Sequence, residues 1–442
     1  MRYIMDNMSK NTLALYGGSP IRKDPFSSYN SLGEEERQAV DVVMQRRVIS
    51  DFKANNIPRF FGGEKVREVE AFFKNHFGVK HAVAMNSATT ALHAALLALG
   101  IGPGDEVITS PFSMSATPAS ILFAGALPVF ADVDLETFCI DPRAVEKKIT
   151  PRTKAILAVN LFGGSPDYDS LEKIARTHSL VIIEDNAQGI GATYKKRYLG
   201  TIGSAGVFSF NVHKHIQSGE GGIMLTNDDV VAYRAQLVRN HGEAVVAEKY
   251  ETDGQFEPIV GSNYRMSELH AAVAVEQTKK LEGLLNHRTE LMTYLAESMK
   301  HFSWLIPQHV FPDSKNVYYA FAFKFNEENT GFSRDIFVKA MKAEGFPLYL
   351  GYIKPLYLMP LYQKKQIYLH SQFPFVQEGK PVSVTYDKGI CPNAEKLHEK
   401  ELMILNLAFH YPKSKEEVDS FVAALQKLEN NKQELKVHES KN

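Results

Sequence analysis

Residues Asp169 to Gly189 read "DSLEKIARTHSLVIIEDNAQG". In the first half Leu171, Ile174 and Ala175 fall three and four residues apart, the spacing of one helix face. The second half is a short apolar run, Leu180 to Ile183, stopped by Glu184-Asp185 and a turn. A helix feeding a short buried strand is the repeating half of a βαβ unit. The same alternation extends in both directions, from about residue 65 to 230. Upstream, "HAVAM" (81–85), "DEVITSP" (105–111), "LPVFADVD" (127–134) and "TKAILAVNLFG" (153–163) read as strands. The segments "EVEAFFKNHFG", "ATTALHAALLALG" and "ATPASILFAG" between them read as helices. The pattern predicts an α/β fold with a mainly parallel sheet covered on both faces. Ligands of such sheets sit at the carboxyl ends of the strands, which is where Asp185 falls.

Bulk properties narrow the function classes. The chain has 442 residues, enough for two or three domains. A net charge of −1 gives no basic face for nucleic acid or an acidic membrane surface. The two cysteines, Cys139 and Cys391, have neither disulfide-framework nor zinc-site spacing. No metal site is expected. The N-terminus has no apolar segment long enough for a signal peptide and no stretch has the length of a membrane span, so a soluble cytoplasmic protein is expected.

Three strand ends carry candidate chemistry. Asp185 is a carboxylate suited to a metal, a ribose or a protonated ring nitrogen. "NSATTAL" (86–92) runs from a strand into a helix, whose free N–H groups and threonine hydroxyl suit a phosphate as well as a simple cap. "FSFNVHKHIQSGEGG" (208–222) places Ser209 five residues before Lys214 and then turns through glycines, which tolerate φ > 0. No Walker or dinucleotide fingerprint occurs. Phosphate site, carboxylate and lysine, in that order, are the parts that hold pyridoxal 5'-phosphate, with the lysine bonded to its aldehyde and the aspartate on its ring nitrogen.

These segments resemble the DegT/DnrJ/EryC1/StrS sugar aminotransferases, from "YGGSPIR" (16–22) through "GSNYRMSELHAAVA" (261–274) and more faintly to "PKSKEEVDSFVAAL" (412–425). The resemblance implies the fold-type I aminotransferase architecture. That is a large domain with a mainly parallel seven-stranded sheet, followed by a smaller C-terminal α/β domain. It also implies a homodimer with shared active sites. "SATTAL" matches the family's phosphate motif, which assigns Ala88 and Thr89 to the cofactor. "EDNAQ" assigns Asp185 to the pyridinium and Gln188 to the ring's surroundings. The hairpin assigns Ser209 to the phosphate and Lys214 to catalysis. "GSNYRM" assigns Asn263 to the neighbouring subunit's phosphate. His213 and His215, beside the lysine, are candidates to face the substrate.

Two departures stand out. The family's stacking aromatic falls on Met114 in "SPFSMSATPASI", with Phe112 two residues earlier as the alternative; a thioether packs acceptably on a ring. "KANNIPRFFGG" (53–63) is longer than the family's turn and leaves the substrate entrance undefined. The expected divisions are an arm (1–31), the cofactor domain (32–262), a linking helix with the small domain (263–430) and a disordered tail (431–442). The implied reaction moves an amino group from glutamate or glutamine to a keto or aldehydo sugar, nucleotide-linked acceptors being the family's usual class, in surface polysaccharide, lipopolysaccharide or secondary-metabolite biosynthesis. The alternatives are a keto-deoxysugar dehydratase, in which the family replaces the lysine by histidine, and a catalytically silent regulatory homologue.

Overall fold

The computed structural model describes residues 12–439 apart from 27, 255, 378, 379, 406–409 and 411. Seven strands form the main sheet: β1 (His81–Met85), β2 (Glu106–Thr109), β3 (Leu127–Phe130), β4 (Thr153–Val159), β5 (Val181–Asp185), β6 (Ala205–Ser209) and β7 (Gly222–Thr226). Their order is β1-β7-β6-β5-β4-β2-β3. Strand β7 runs antiparallel to both neighbours, and the other pairings are parallel. The strands are almost wholly buried, as a sheet covered on both faces requires.

Helices α1 (Glu34–Arg46), α2 (Glu64–Phe77), α3 (Ala88–Ala98), α4 (Ala116–Phe123), α5 (Tyr168–His178), α6 (Asp229–Arg239) and α7 (Glu243–Asp253) accompany the sheet. Helix α3 is apolar nearly all round and lies in a core with β1, β6 and α6. Ser87 caps it by accepting the N–H of Thr90 at 3.1 Å. The same kind of cap starts α5, where Asp167 accepts from Ser170.

The segment from Glu268 to Met299 is one helix, α8, of 32 residues. At 1.5 Å per residue it is about 48 Å long. Ala271, Ala274, Leu281 and Leu285 pack into the large-domain core, whereas Leu291, Leu295 and Met299 enter a second core. That second core is built on β8 (Leu305–Pro307), β9 (Phe321–Phe325), β10 (Tyr349–Leu350) and β11 (Leu402–Leu405), an antiparallel sheet of order β8-β9-β11-β10. Helices α9 (Arg334–Ala343) and α10 (Lys415–Asn430) cover it.

Of the expected arm, residues 1–11 lie outside the described residues, and the stretch from Leu13 to Ile21 is fixed to the small domain. Leu13 is fully buried in its core, and the Glu344 carboxylate accepts the N–H groups of Ala14 and Ile21 at 2.8 and 3.1 Å. Lys427 pairs with Glu344 at 2.9 Å and donates to the Ser19 carbonyl. Of the expected tail, residues 440–442 lie outside the described residues, and the rest is helical from Lys432. Residues Lys432–Glu439 form α11 instead of a disordered end, because Leu435 extends the apolar stripe of Leu425 and Leu428 into the same core. The long 53–63 segment is also ordered. Phe60 is buried against Leu237, Val245 and Val246, and the Asn240 amide donates to the carbonyls of Lys53 and Phe60 at 3.0 Å each.

Candidate active site

Glu184 and Asp185 end β5 side by side, and strand alternation sends them to opposite faces. Glu184 accepts three backbone N–H groups, from Gly200, Ile202 and Gly203 at 2.7, 2.6 and 2.8 Å, so it organises the turn leading into β6. Asp185 is also buried, at 5 % exposure, but has fewer donors. The Thr117 hydroxyl, in the first turn of α4, donates to its Oδ2 at 2.6 Å, and the Ala187 N–H to its Oδ1 at 3.2 Å. Burial pushes the Asp185 carboxyl above its ordinary range, while Thr117, Ala187 and the charge of Lys214 pull the other way. No described cation forms an ion pair with it. A carboxylate in that condition suits a protonated ring nitrogen.

Strand β6 ends at Ser209, which pairs in register with Gly222, and Gly222 also pairs with Met85 at the end of β1. A Cβ on Gly222 would lie 2.4 Å from the Ala88 nitrogen. The glycine thus lets the hairpin pass directly over the N-terminus of α3, and Ser209, Ala88 and Thr89 gather at one corner. Within the turn, Gly219 takes φ +80°. Because Ser87 supplies the cap, Thr89 is not needed for it. This corner of helix N–H groups and two hydroxyls suits a phosphate.

Lys214 follows on the same turn, half-buried, with Nζ 4.4 Å from the centre of the Tyr319 ring. Desolvation pushes its amine down to about 8, against the opposing charge of Asp185. A lysine neutral at mildly alkaline pH is a usable base. The two histidines beside it separate. His213 is exposed, whereas His215 is buried, its Nε2 2.9 Å from the Val317 carbonyl. Burial holds its ring well below the ordinary histidine range, so Nε2–H donates to Val317 as a neutral imidazole.

Gln188 accepts the Phe162 N–H at 2.8 Å and donates to the Tyr352 hydroxyl at 3.3 Å. Met114 is 63 % exposed at the mouth of α4. Phe112 is wholly buried in the large core, its ring edge-on to Tyr352. Asn263 lies exposed beside the corner: its carbonyl accepts from the Asn86 amide at 3.4 Å and its Oδ1 from Arg265 at 2.7 Å. It does not cap α8, since Ser267 accepts the His270 N–H there.

Sequence reasoning missed Thr117, Tyr319, Tyr352 and Tyr29. Tyr29 comes from the arm and donates its hydroxyl to the His215 carbonyl at 2.6 Å. Only the threonine left a trace, in the "AT" of "SATPAS"; the tyrosines arrive from separate segments with no local signature.

The collected groups fit pyridoxal 5'-phosphate: a desolvated lysine, a buried carboxylate with no ion pair among the described residues, and a hydroxyl-lined helix N-terminus. Comparison with known proteins agrees. The chain is 35% identical over 347 residues to the spore coat polysaccharide biosynthesis protein SpsC of Bacillus subtilis, covering 78% of this chain and 86% of that one. It is 37% identical over 304 residues to the GDP-perosamine synthase of Caulobacter vibrioides, covering 68% and 79%. It superposes on the E. coli GDP-4-keto-6-deoxy-D-mannose-3-dehydratase with bound hydrated pyridoxal phosphate at a TM-score of 0.74, with 25% identity and coverage of 91% and 99%. The profile of the DegT/DnrJ/EryC1/StrS aminotransferase family matches residues 53–380, and the chain belongs to that family of pyridoxal-phosphate-dependent aminotransferases.

Proposed function

We propose that this enzyme moves an amino group from glutamate or glutamine to a keto or aldehydo sugar, nucleotide-linked, in the cytoplasmic assembly of a surface polysaccharide or related glycan. The observation that carries the reading is the placement of Lys214. Its amine is desolvated, faces Tyr319 and senses the charge of Asp185, yet forms no ion pair with a described residue. The bound cofactor supplies an electron sink for the carbon that exchanges its amine. Asp185 keeps the proton on the ring nitrogen, with Thr117 fixing the carboxylate's direction. Ser209, Ala88 and Thr89 hold the phosphate, and Asn263 completes that site across a homodimer. Lys214 Nζ moves the proton at the reacting carbon, and Gln188 and Met114 line the ring's surroundings. The polysaccharide context and the nucleotide sugar are carried over from the two sequence relatives. A retained lysine, with no histidine in its place, favours amination over dehydration.

Incubation with glutamate and a panel of nucleotide keto-sugars, with products read by mass spectrometry, tests the proposal. Aminated sugar together with 2-oxoglutarate is the expected result. A deoxygenated sugar carrying no nitrogen, with ammonia released alongside the 2-oxoglutarate, would identify a dehydratase instead.

A further inference from the structure

Arg288, on α8, is 3 % exposed and carries no salt bridge or hydrogen bond among the described residues. Its guanidinium carbon lies 4.9 Å over the ring of Tyr29, and its Nη1 is buried without a partner. The titratable groups that act on it or beside it are Tyr29, Tyr319 and His215. All three are neutral: burial raises both phenols and lowers the imidazole. A buried guanidinium with no anion is costly, and removing the partner of such a charge is among the most destabilising changes known. A trapped water would satisfy an N–H but leave the charge uncompensated. The surroundings are those of the reaction, because Tyr29 donates to the carbonyl of His215, next to Lys214, and Tyr319 lies 4.4 Å from the Lys214 amine.

We propose that Arg288 anchors a substrate oxyanion in the site above Lys214, its missing counter-charge being supplied by the ligand. This rests on the amino-transfer reading, in which two substrates visit the site in turn. A carboxylate of the amino donor and a phosphate of the acceptor both offer the two-oxygen edge that a guanidinium fork binds. A fully desolvated cation also discriminates between ligands, because a neutral analogue would leave it unpaired.

The test titrates the holoenzyme calorimetrically with glutarate, standing for the donor, and with pyrophosphate, standing for the acceptor. Arg288→Met and Arg288→Lys are compared with the parent. We expect at least one probe to bind about tenfold or more weakly to Arg288→Met, a loss of about 1.4 kcal/mol. Melting temperature should stay level or rise, since an uncompensated buried charge has been replaced by an apolar chain of similar length. Arg288→Lys should fall between, keeping the charge but losing the fork. Loss of glutarate alone assigns the donor, and loss of pyrophosphate alone the acceptor. Unchanged affinity for both probes in either variant overturns the proposal. So does weakening that occurs only together with a lower melting temperature in both variants, which would make Arg288 structural. Failure of the amino-transfer reading would be seen separately, as no sugar product from the parent enzyme whose oxyanion binding is intact.

Discussion

The Thr117 hydroxyl donates to Asp185 at 2.6 Å, both side chains being buried, and so joins the first turn of α4 to the end of β5. This bond is the shortest to the carboxylate, and it opposes the upward push of burial.

Thr117→Val keeps the shape and removes the donor. Leaving Asp185 less satisfied should cost about 1–3 kcal/mol of stability. The carboxyl then gains a proton at higher pH, so the acidic limb of the kcat profile should move upward. A Thr117→Val enzyme with an unshifted acidic limb would show that the bond does not hold the carboxylate's charge.

Lys214→Ala should lower turnover by roughly a hundredfold to ten-thousandfold, the range for loss of a positioned proton carrier. The apoprotein offers a second readout. The Lys214 amine lies at about 8 when folded against 10.5 as its ordinary value. Folding therefore releases a proton between those values, the unfolded chain binds more protons there, and stability should rise with pH from about 8 to 10.5. Urea midpoints across that window should climb less in Lys214→Met apoprotein than in the parent. Equal slopes would place the unpartnered amine elsewhere.

Gly222→Ala drives a methyl to 2.4 Å from the Ala88 nitrogen, so the hairpin must lift away from α3. We expect a loss of about 1–3 kcal/mol and weakened cofactor retention on dialysis. Gly219→Ala is the control: no atom lies within 4 Å, only a φ of +80° is strained, and cofactor retention should be normal.

Asn263→Ala should weaken cofactor binding, and mixing it with Lys214→Ala should restore part of the activity. In the proposed homodimer with shared sites, one of the two sites of a mixed pair then has both residues intact. Mixtures no more active than the parents would place Asn263 in its own subunit's site.

Leu435→Ala should cost about 2–5 kcal/mol, as for other buried leucines, because α11 belongs to the small-domain core. An unchanged melting temperature would return residues 432–439 to the status of a tail.

The alternation from β1 to β7 and the nature of the chemistry were legible in the sequence, since both are local. A strand is an apolar run of the right length, and Lys214 and its glycine turn are contiguous. The sequence also ordered the phosphate corner, carboxylate and lysine along the chain. It did not separate Glu184 from Asp185 by physics alone: their roles differ because alternate side chains leave a strand on opposite faces, one toward backbone donors and one toward Thr117. Nor did it separate His213 from His215, whose fates depend on a carbonyl at Val317, 102 residues away. The tail looked polar residue by residue, and only the core around Leu435 ordered it. Tyr29, Tyr319 and Arg288 come from an arm, a loop before β9 and the middle of α8. Their meeting is a product of how the small domain and the long helix close over the sheet, which no local pattern encodes.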